Sequence, residues 1–501
     1  MVLACCSLSL FIVSLDATVV NVGLPAIQRD LHASVSGLQW TIDAYALVVA
    51  SLLLLSGSLG DRFGRRKMFQ IGLVIFGIGS LACSLAPSLG ALIAFRMVQA
   101  VGGSMLNPNS LSIITSVFTD RQERARAIGV WGGVFGISAA SGPIIGGLLV
   151  DTIGWRALFW INIPVVILAS LLAIRTIPES RADRPRRVDP PGQFLTIALL
   201  ASLTSAIIEG PNDGWTSPLI ACLFAVAVVS LAALITVERR RWQPLLEVRF
   251  FRSPPFSGAA SIATLAFLIL AGFLFLNTLY LQEVRGDSAL MAGVSTLPAT
   301  VIIALVAPLS GRMVAARGTR LPLTGAGILL AAGALILAGD QPSSPYLLLA
   351  AGYLLLGLGF GLVNPPITNT AVAGMPVAQA GVAAAVASTS RQTGNVLGVA
   401  LVGSLVTTRY HRLLAPRLAS FHLPAATHAA LLHADIGASG LRLPGGAGGA
   451  ALVGAINSAF TAASHAGWYL SAGCGIGIAL IAAATTGPRA RAAAAAVMQE
   501  V

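Results

Sequence analysis

Fourteen apolar runs, each long enough to cross a lipid bilayer, constrain the fold of this chain more than any other feature. A bilayer core of ~30 Å is crossed by about 20 helical residues at ~1.5 Å rise per residue. Only 10% of the 501 residues are charged, whereas soluble domains carry roughly 25%. We therefore predict an all-α integral membrane protein with spans at about 3–27, 38–59, 68–86, 89–113, 126–150, 157–175, 192–209, 217–237, 256–281, 290–311, 321–339, 345–367, 380–407 and 460–486.

The basic residues indicate which way the spans run. Loops on one face, taken alternately from the connection at 59–68, hold most of the 31 Lys and Arg residues. The positive-inside rule places this face in the cytoplasm, together with both termini because the number of spans is even. In a soluble protein the net charge of +12 would suggest a nucleic-acid partner, but here the distribution of the charge matters more than its sum. We predict a multi-pass protein of the cell (inner, cytoplasmic) membrane, in contact with the lipid bilayer and without a nucleic-acid partner.

Three features recur along the chain at nearly constant offsets, which indicates two parallel repeats of six spans separated by two further spans. We predict an N-terminal six-helix bundle over 1–180, two inserted transmembrane helices with flanking cytoplasmic loops over 181–252, and a C-terminal six-helix bundle over 253–501. The recurring features are Asn107-Pro108 with Asn364-Pro365, Gly142-x-x-x-Gly146 with Gly394-x-x-x-Gly398, and Asp61-Arg62 with Gly311-Arg312.

A long extracytoplasmic loop is predicted at about 408–459. Its histidines have spacings that match no metal motif, so we expect a solvated, partly helical loop rather than a metal site. The five Cys residues lie in apolar runs and are interpreted as small packing residues. We expect no metal and no cofactor, only a proton gradient. The histidines of the loop are His411, His422, His428 and His433.

Asp16 lies close to the middle of the first span, where a carboxylate costs at least roughly 2.5–3.5 kcal/mol and needs a partner, water or a proton. Counted along the helices, Asp16 is ~16 Å from the predicted outer end of its span, Arg96 is ~10 Å and Asp43 is ~8 Å. An arginine side chain covers most of the difference, so we predict that the three side chains share one cluster.

The predicted cluster suits a proton carrier. Because arginine stays charged, the cluster has a charge of about −1 with both acids ionised and about 0 with one acid protonated. Unbalanced negative charge in lipid favours the binding of a proton. Asp16, Arg96 and Asp43 are therefore the candidate proton-coupling residues. The alternative is a static ion pair, which accounts for Arg96 and for only one of the two acids.

Glycine-rich motifs follow the second span and fill the fifth. The loop reads Gly57-Ser-Leu-Gly60-Asp61-Arg62-Phe-Gly64-Arg65-Arg66-Lys67. Its glycines allow a tight turn, and Asp61 can form a charge pair that opens and closes. An ordinary basic loop with a capping Asp is the alternative. In the fifth span, small residues allow close helix approach and Gly-Pro bends the helix, although packing alone also explains them. This span contains Gly132, Gly136, Gly142, Pro143, Gly146 and Gly147.

These motifs resemble the signature of the major facilitator superfamily: Asp61-Arg-x-Gly-Arg-Arg, Arg96-x-x-Gln99-Ala-x-Gly102 and Gly142-Pro-x-x-Gly-Gly. Leu15-Asp16-x-Thr18-x-Val20-Asn21, with Asp43 and fourteen spans, is similar to its fourteen-span drug:H⁺ antiporter branch. The resemblance implies proton-driven export of drugs or antibiotics by alternating access. It also implies a cytoplasmic gate at Asp61 and its basic neighbours, and proton coupling through Arg96 with Asp16. The chain departs from the usual pattern at Ala100, where the family has Gly.

The second half of the chain has no carboxylate deep in any span, since Glu283 lies at an outer end. We therefore expect small amphipathic substrates that are neutral, zwitterionic or monocationic rather than dicationic. Arg391, alone in the thirteenth span, suits an anionic group, or it packs against carbonyl groups. Polar residues in spans either line a cavity or join helices. The candidate cavity residues are Asn21, Trp131, Asn277, Tyr280, Asn364, Asn369, Arg391 and Gln392.

Two other functions fit parts of this pattern. A metabolite facilitator or a proton symporter would have the same fold. A membrane-embedded enzyme would need nucleophiles, bases or metal ligands gathered at one depth, and the sequence has no H-E-x-x-H motif, paired Cys/His set or nucleotide-binding Gly loop. We therefore predict a secondary active transporter rather than an enzyme.

Overall fold

The computed structural model describes residues 1–182, 189–241, 248–372, 380–419, 421 and 447–487, and these are helical almost throughout. The prediction of an all-α membrane protein is confirmed, with no strand among the described residues. In chain order, the helices are α1 Val2–Leu31, α2 Val35–Phe63, α3 Arg65–Ser84, α4 Leu89–Val117, α5 Arg121–Thr152, α6 Ala157–Trp160, α7 Asn162–Thr176, α8 Pro190–Asp213, α9 Pro218–Arg240, α10 Pro254–Leu279, α11 Ala289–Ser295, α12 Leu297–Arg317, α13 Arg320–Leu337, α14 Tyr346–Val372, α15 Ala380–Leu418 and α16 Ala447–Thr485. A 3₁₀ turn, Val248–Arg252, precedes α10, and a π-helical turn, Tyr280–Val284, follows it.

Thirteen helical segments in the described part of the chain are long and apolar enough to cross a membrane. The predicted span at 380–407 is not among them, although it lies within α15, a helix of 39 residues. Arg391, Gln392 and Asn395 make this segment more polar than the others. Its length is nevertheless ample for a crossing at ~1.5 Å per residue.

The predicted, partly helical loop at 408–459 has helix at both of its ends. The helix α15 continues to Leu418 and α16 begins at Ala447. Charged and polar residues near the end of α15 do not stop the helix, because its apolar face stays packed: Tyr410 and Leu414 are buried. His411 lies on this helix, and the other three histidines of the predicted loop lie outside the described residues.

Local signals explain where several helices begin. Ser34 and Ser88 cap α2 and α4 by accepting a hydrogen bond from a backbone N–H in the first turn, and Asp120 caps α5 in the same way. Gly64, with a φ of 115°, separates α2 from α3 in a conformation that side chains rarely adopt.

Many helices expose apolar side chains outward. On α3, Val74, Ile78 and Leu81 recur at helical spacing and are about half exposed. Such stripes are unfavourable in water and suit a surface that faces lipid.

The helices pack as two groups with an inserted pair between them in sequence. The helices α1–α7 contact one another, as do α10–α16, and we call these the N-terminal and C-terminal groups. The inserted pair, α8 and α9, forms a hairpin in which α8 contacts both α2 and α15. Gln193 of α8 donates to the Ser51 carbonyl of α2 at 2.6 Å, and Glu209 of α8 accepts from the Trp40 indole of α2 at 2.7 Å.

Hydrogen bonds between the two groups gather at the end of the bundle opposite Asp61, which is the predicted outer end. Gln39 of α2 donates to the carbonyls of Val399 and Ala400 of α15, at 3.0 and 3.1 Å. The carboxylate of Asp151, at the end of α5, accepts from the first two backbone N–H groups of α11, at 3.1 and 2.9 Å. Gln282 donates to the Val22 carbonyl of α1 at 2.9 Å. The groups are therefore closed against each other at this end.

Candidate functional site

Asp16 and Arg96 form an ion pair in the interior of the N-terminal group. The distance from Arg96 Nη1 to Asp16 Oδ2 is 2.5 Å, and both side chains are almost completely buried. The helices α1 and α4 run in opposite directions, so that α4 begins at the predicted outer end of the bundle, where α1 finishes. Counting residues from that end of each helix placed Asp16 and Arg96 at compatible depths. The structure brings together the pair that the sequence predicted.

The second oxygen of Asp16 is held by two amides that the sequence analysis had not assigned to the site. Gln99 Nε2 and Asn162 Nδ2 both donate to Asp16 Oδ1, at 2.8 and 3.0 Å. Both amides also donate to Ser80 Oγ, at 3.2 and 2.9 Å. Gln99 stood in a recognised motif, whereas the only sequence signal for Asn162 and Ser80 was their polarity within apolar spans.

The guanidinium of Arg96 is fixed from several sides. Its Nε donates to the Thr41 carbonyl at 3.2 Å, and Nη1 also donates to Gln99 Oε1 at 2.7 Å. The Tyr45 ring lies 4.3 Å from the guanidinium carbon, a distance at which the ring face attracts a cation. The network sets one carboxyl group against one guanidinium, and such pairing is what permits oppositely charged groups to remain buried.

Asp43 does not join this network, which corrects the predicted three-residue cluster. Its side chain is fully buried, and neither carboxylate oxygen has a hydrogen-bond partner among the described residues. On α2, Thr41 and Tyr45 face Arg96, and a residue two positions from either is rotated by about 200°. Asp43 instead shares the face of Gln39, one turn away, which contacts α15. Depth along the helix was predicted correctly, but the direction of the side chain was not considered.

The glycine-rich loop at the Asp61 end forms a compact turn within the N-terminal group. Asp61 pairs with Arg65 one turn later, at 2.9 Å, and both side chains are partly exposed. A Cβ on Gly60 would meet Asn109 Oδ1 at 1.8 Å, so α2 and α4 touch there. A Cβ on Gly57 would make only an ordinary contact, at 3.7 Å from Pro108. Arg62 lies at the surface, 5.7 Å above the Phe63 ring.

Glu179 completes this turn, and the sequence analysis did not identify it. Its carboxylate accepts from the backbone N–H groups of Arg66 and Lys67, at 3.1 and 3.2 Å, and so caps the start of α3. The Arg66 side chain donates to the Ile174 carbonyl at 2.8 Å. The only sequence signal was an acidic residue following the sixth span.

The glycines of α5 divide into two sets. Gly142 and Gly146 lie against α1, where a Cβ would meet Thr18 Oγ1 at 2.0 Å and Val19 Cα at 3.2 Å. Gly147 lies against α11 of the C-terminal group, where an added Cβ would be 2.5 Å from the carbonyl oxygen of Ala289. The carbonyl of Pro143 also contacts α11. Gly132 and Gly136 face open space, with no atom within 4 Å of an added Cβ. In this conformation, close packing needs glycine only at the positions that lie against another helix, which are Gly142, Gly146 and Gly147.

Comparison with known proteins identifies the arrangement. The profile of the Major Facilitator Superfamily matches residues 6–399. The chain belongs to the Major Facilitator Superfamily. Its helices, its buried Asp16–Arg96 pair and its glycine-rich turn are thus parts of a transporter of this superfamily, which confirms the predicted family and the prediction that the chain is not an enzyme.

Three curated relatives have names that refer to drug or antibiotic resistance. Multidrug resistance protein Stp of Mycobacterium tuberculosis is 36% identical over 82% of this chain and 76% of its own length. The tetracenomycin C resistance and export protein of Streptomyces glaucescens is 35% identical over 83% and 78%. Puromycin resistance protein pur8 of Streptomyces alboniger is 37% identical over 84% of each chain.

Solved structures of superfamily transporters share the fold at low identity. A bacterial homolog of the human lysosomal transporter Spinster, in an inward-facing and unoccupied conformation, has a TM-score of 0.67 at 19% identity, covering 100% of this chain and 97% of that chain. A D-xylose–proton symporter has a TM-score of 0.59 at 15% identity, covering 80% and 89%.

Two of the predicted cavity residues of this superfamily member line the same pocket. Asn21 of α1 and Asn277 of α10 lie on a pocket between the two groups, together with Thr18, Thr278 and Thr296. Asn21 Oδ1 is buried without a partner, whereas Asn277 Oδ1 accepts from the Tyr353 hydroxyl at 2.5 Å.

The other predicted cavity residues are spread over the bundle. Tyr280 is buried and donates at 2.9 Å to the carbonyl of Gln341, which lies in the connection between α13 and α14. Gln392 accepts from Asn395 at 2.9 Å, and Asn369 is exposed while donating to the Pro365 carbonyl of its own helix. Trp131 and Asn364 are half-buried on α5 and α14, and Arg391 donates to Thr368 Oγ1 at 2.6 Å.

Proposed function

We propose that this protein exports small amphipathic drugs or antibiotics across the cell membrane in exchange for protons. The curated relatives support the substrate class, since their names describe resistance and export. The observation that carries the proposal is the buried Asp16–Arg96 pair, because it is a protonatable group in the interior of the bundle, bonded to helices α4 and α7.

The end at which the two groups are closed against each other indicates from which side substrate would enter in the proposed cycle. The hydrogen bonds between the groups lie at the predicted outer end, so substrate would enter from the other side, the end with the basic loops. In this proposal that end and both termini are cytoplasmic, and the bundles over 1–180 and 253–501 rock against each other. The inserted helices over 181–252 would move with α2, to which α8 is hydrogen-bonded.

Ionised Asp16 would then represent the protein after a proton has been released to the cytoplasm. Protonation of Asp16 would leave Arg96 without a counter-charge, and the guanidinium would have to rearrange relative to Gln99 and the Thr41 carbonyl. Because those groups lie on α4 and α2, binding and release of one proton would change how α1, α2 and α4 pack. This is the coupling that an antiporter needs.

Asp43 would serve as a second proton-binding group with a different role. A fully buried carboxyl without a donor or a counter-charge favours the neutral acid. It lies on the face of α2 towards α15, at the seam that would open for outward release. Opening the seam would admit water to Asp43, and the proton could then exchange with the outer solution.

Proteoliposomes containing the purified protein would test the proposal, with ethidium as the probe and a pH-sensitive dye inside. An ethidium gradient should drive protons in the opposite direction, whereas a symporter would move them in the same direction and a facilitator would not move them. Asp16→Asn should abolish the coupled proton flux. Asp30→Asn is the matched control, because it makes the same change in the same helix at a half-exposed ion pair. Retained coupling in Asp16→Asn would exclude Asp16 as the carrier.

A further inference from the structure

Arg391 is a cation within a spanning helix that has no acidic partner among the described residues. It lies about eleven residues into α15, ~16 Å from the start of the helix. Its Nη2 donates to Thr368 Oγ1 of α14 at 2.6 Å, and the Phe267 ring of α10 lies 5.8 Å from the guanidinium carbon. One hydroxyl group and one ring at 5.8 Å offer little stabilisation to a full positive charge in a membrane.

Arg96 provides a comparison, because the N-terminal group supplies partners for its guanidinium on several sides. That side chain has a carboxylate, an amide oxygen, a backbone carbonyl and an aromatic ring at 4.3 Å. Arg391 has five N–H donors and one hydrogen bond in the described structure. Its Nε is enclosed without a partner, and the residue as a whole is only half-buried. The comparison indicates that, within the part of the chain that the structure describes, Arg391 has no anion beside it.

In this proposal Arg391 is reached from the predicted cytoplasmic side, at which α15 begins. The hydrogen bonds that close the two groups together lie at the other end of the bundle. Asn369, which follows the Thr368 anchor on α14, is exposed. We therefore expect a molecule that enters from the cytoplasm to meet Arg391 and Thr368 before it reaches the pocket at Asn21 and Asn277.

We propose that Arg391 binds the carboxylate of amphipathic substrates, so that the transporter accepts compounds with a carboxylate group, zwitterions included. Thr368 orients the guanidinium, and Phe267 supplies apolar surface beside it. A charge-assisted hydrogen bond in a low-dielectric site is stronger than a neutral one, and a guanidinium matches the planar carboxylate. This inference rests on the proposed export function and adds the chemical class of the substrate.

A matched pair of probes tests the inference by binding alone. The probes are 11-(dansylamino)undecanoic acid and its primary amide, which differ only in the head group. Their dissociation constants are measured by dansyl fluorescence on the full-length protein in phosphatidylcholine nanodiscs. We expect the wild-type protein to bind the acid more tightly than the amide. Arg391→Gln should weaken acid binding about 10-fold to 100-fold, the range for a hydrogen bond to a charged group, and leave amide binding unchanged.

Three further variants make the result specific. Arg285→Gln makes the same change in the C-terminal group at the predicted outer end, where the side chain donates to the Ser344 carbonyl, and should not alter the acid-to-amide ratio. Arg391→Lys keeps the charge and should show an intermediate loss, and it replaces Arg391→Gln if that protein does not fold. Thr368→Val should reduce the preference for the acid by less than Arg391→Gln does.

Each contrary outcome identifies what has failed. Equal affinity of the wild-type protein for acid and amide would overturn the inference, as would an equal loss of both probes in Arg391→Gln. Loss of acid binding when phosphatidylglycerol replaces phosphatidylcholine would show that a lipid head group takes the site, and would also overturn it. The assay needs no proton gradient. Intact ethidium–proton exchange without acid preference would therefore refute only this inference, and acid preference without exchange would refute only the proposed function.

Discussion

Breaking the Asp16–Arg96 pair should destabilise the protein much more than removing both charges together. Arg96→Met leaves Asp16 buried with its Oδ2 lacking a donor, while Oδ1 keeps Gln99 and Asn162. Loss of one member of a buried pair costs roughly 3–5 kcal/mol, whereas replacing both members is often nearly neutral. Asp16→Asn keeps an oxygen acceptor but leaves the guanidinium of Arg96 without its counter-charge. We therefore expect both single variants to fold with a lower free energy of unfolding than the wild type, and the double variant to recover most of the loss.

The measurement is a double-mutant cycle on the free energy of unfolding, from reversible SDS titration in mixed micelles. Two single losses of roughly 3–5 kcal/mol and a nearly neutral double variant correspond to an interaction energy of roughly 6–10 kcal/mol, above the roughly 0.5–3 kcal/mol usually found for contacting residues. The control cycle is Asp30 with Arg156, an ion pair at 2.6 Å with both side chains about half exposed. Such exposed pairs contribute roughly 0–1 kcal/mol.

The two cycles together decide whether the buried network is an ion pair in the folded protein. If the interaction energy of Asp16 with Arg96 is no larger than that of the exposed control, the two charges are not paired and the coupling scheme loses its basis. The double variant should also lack ethidium–proton exchange, although it folds. Stability and coupling are thus separated in one set of proteins.

Three further predictions concern other parts of the N-terminal group. Gly60→Ala should lower the thermal stability in a size-exclusion assay because its Cβ would collide with Asn109, and the further change Asn109→Ala should restore that stability. Gly57→Ala should be tolerated, because its Cβ would make only an ordinary contact. Equal effects of the two glycine changes would contradict the packing argument. Glu179→Gln should reduce unfolding free energy by about 1 kcal/mol, since the charge at the start of α3 is lost, and an unchanged SDS titration would refute the cap. Asp43→Asn should leave stability nearly unchanged, because a neutral amide replaces a neutral acid, yet should alter the pH dependence of exchange in proteoliposomes; a pH profile identical to wild type would exclude a proton on Asp43.

Much of the architecture follows from the linear sequence because a membrane imposes a one-dimensional rule. Each span must be about 20 residues long, and each residue adds ~1.5 Å of depth. Counting residues was therefore enough to pair Asp16 with Arg96 across two helices, and the small residues at Gly142 and Gly146 predicted a close helix approach, which the structure makes with α1. The same count could not show that α15 extends to Leu418, since helix ends in polar segments depend on what the helix packs against.

What depth cannot supply is the direction in which a side chain points and the identity of the helix it meets. Asp43 lies at the predicted depth but turns towards α15, because two residues from Thr41 and Tyr45 rotate it about 200° away from Arg96. Asn162 and Ser80 complete the Asp16 site from helices far away in sequence. Rotation and neighbourhood are set by the packing of all the helices at once, so they emerge only when the bundle is assembled.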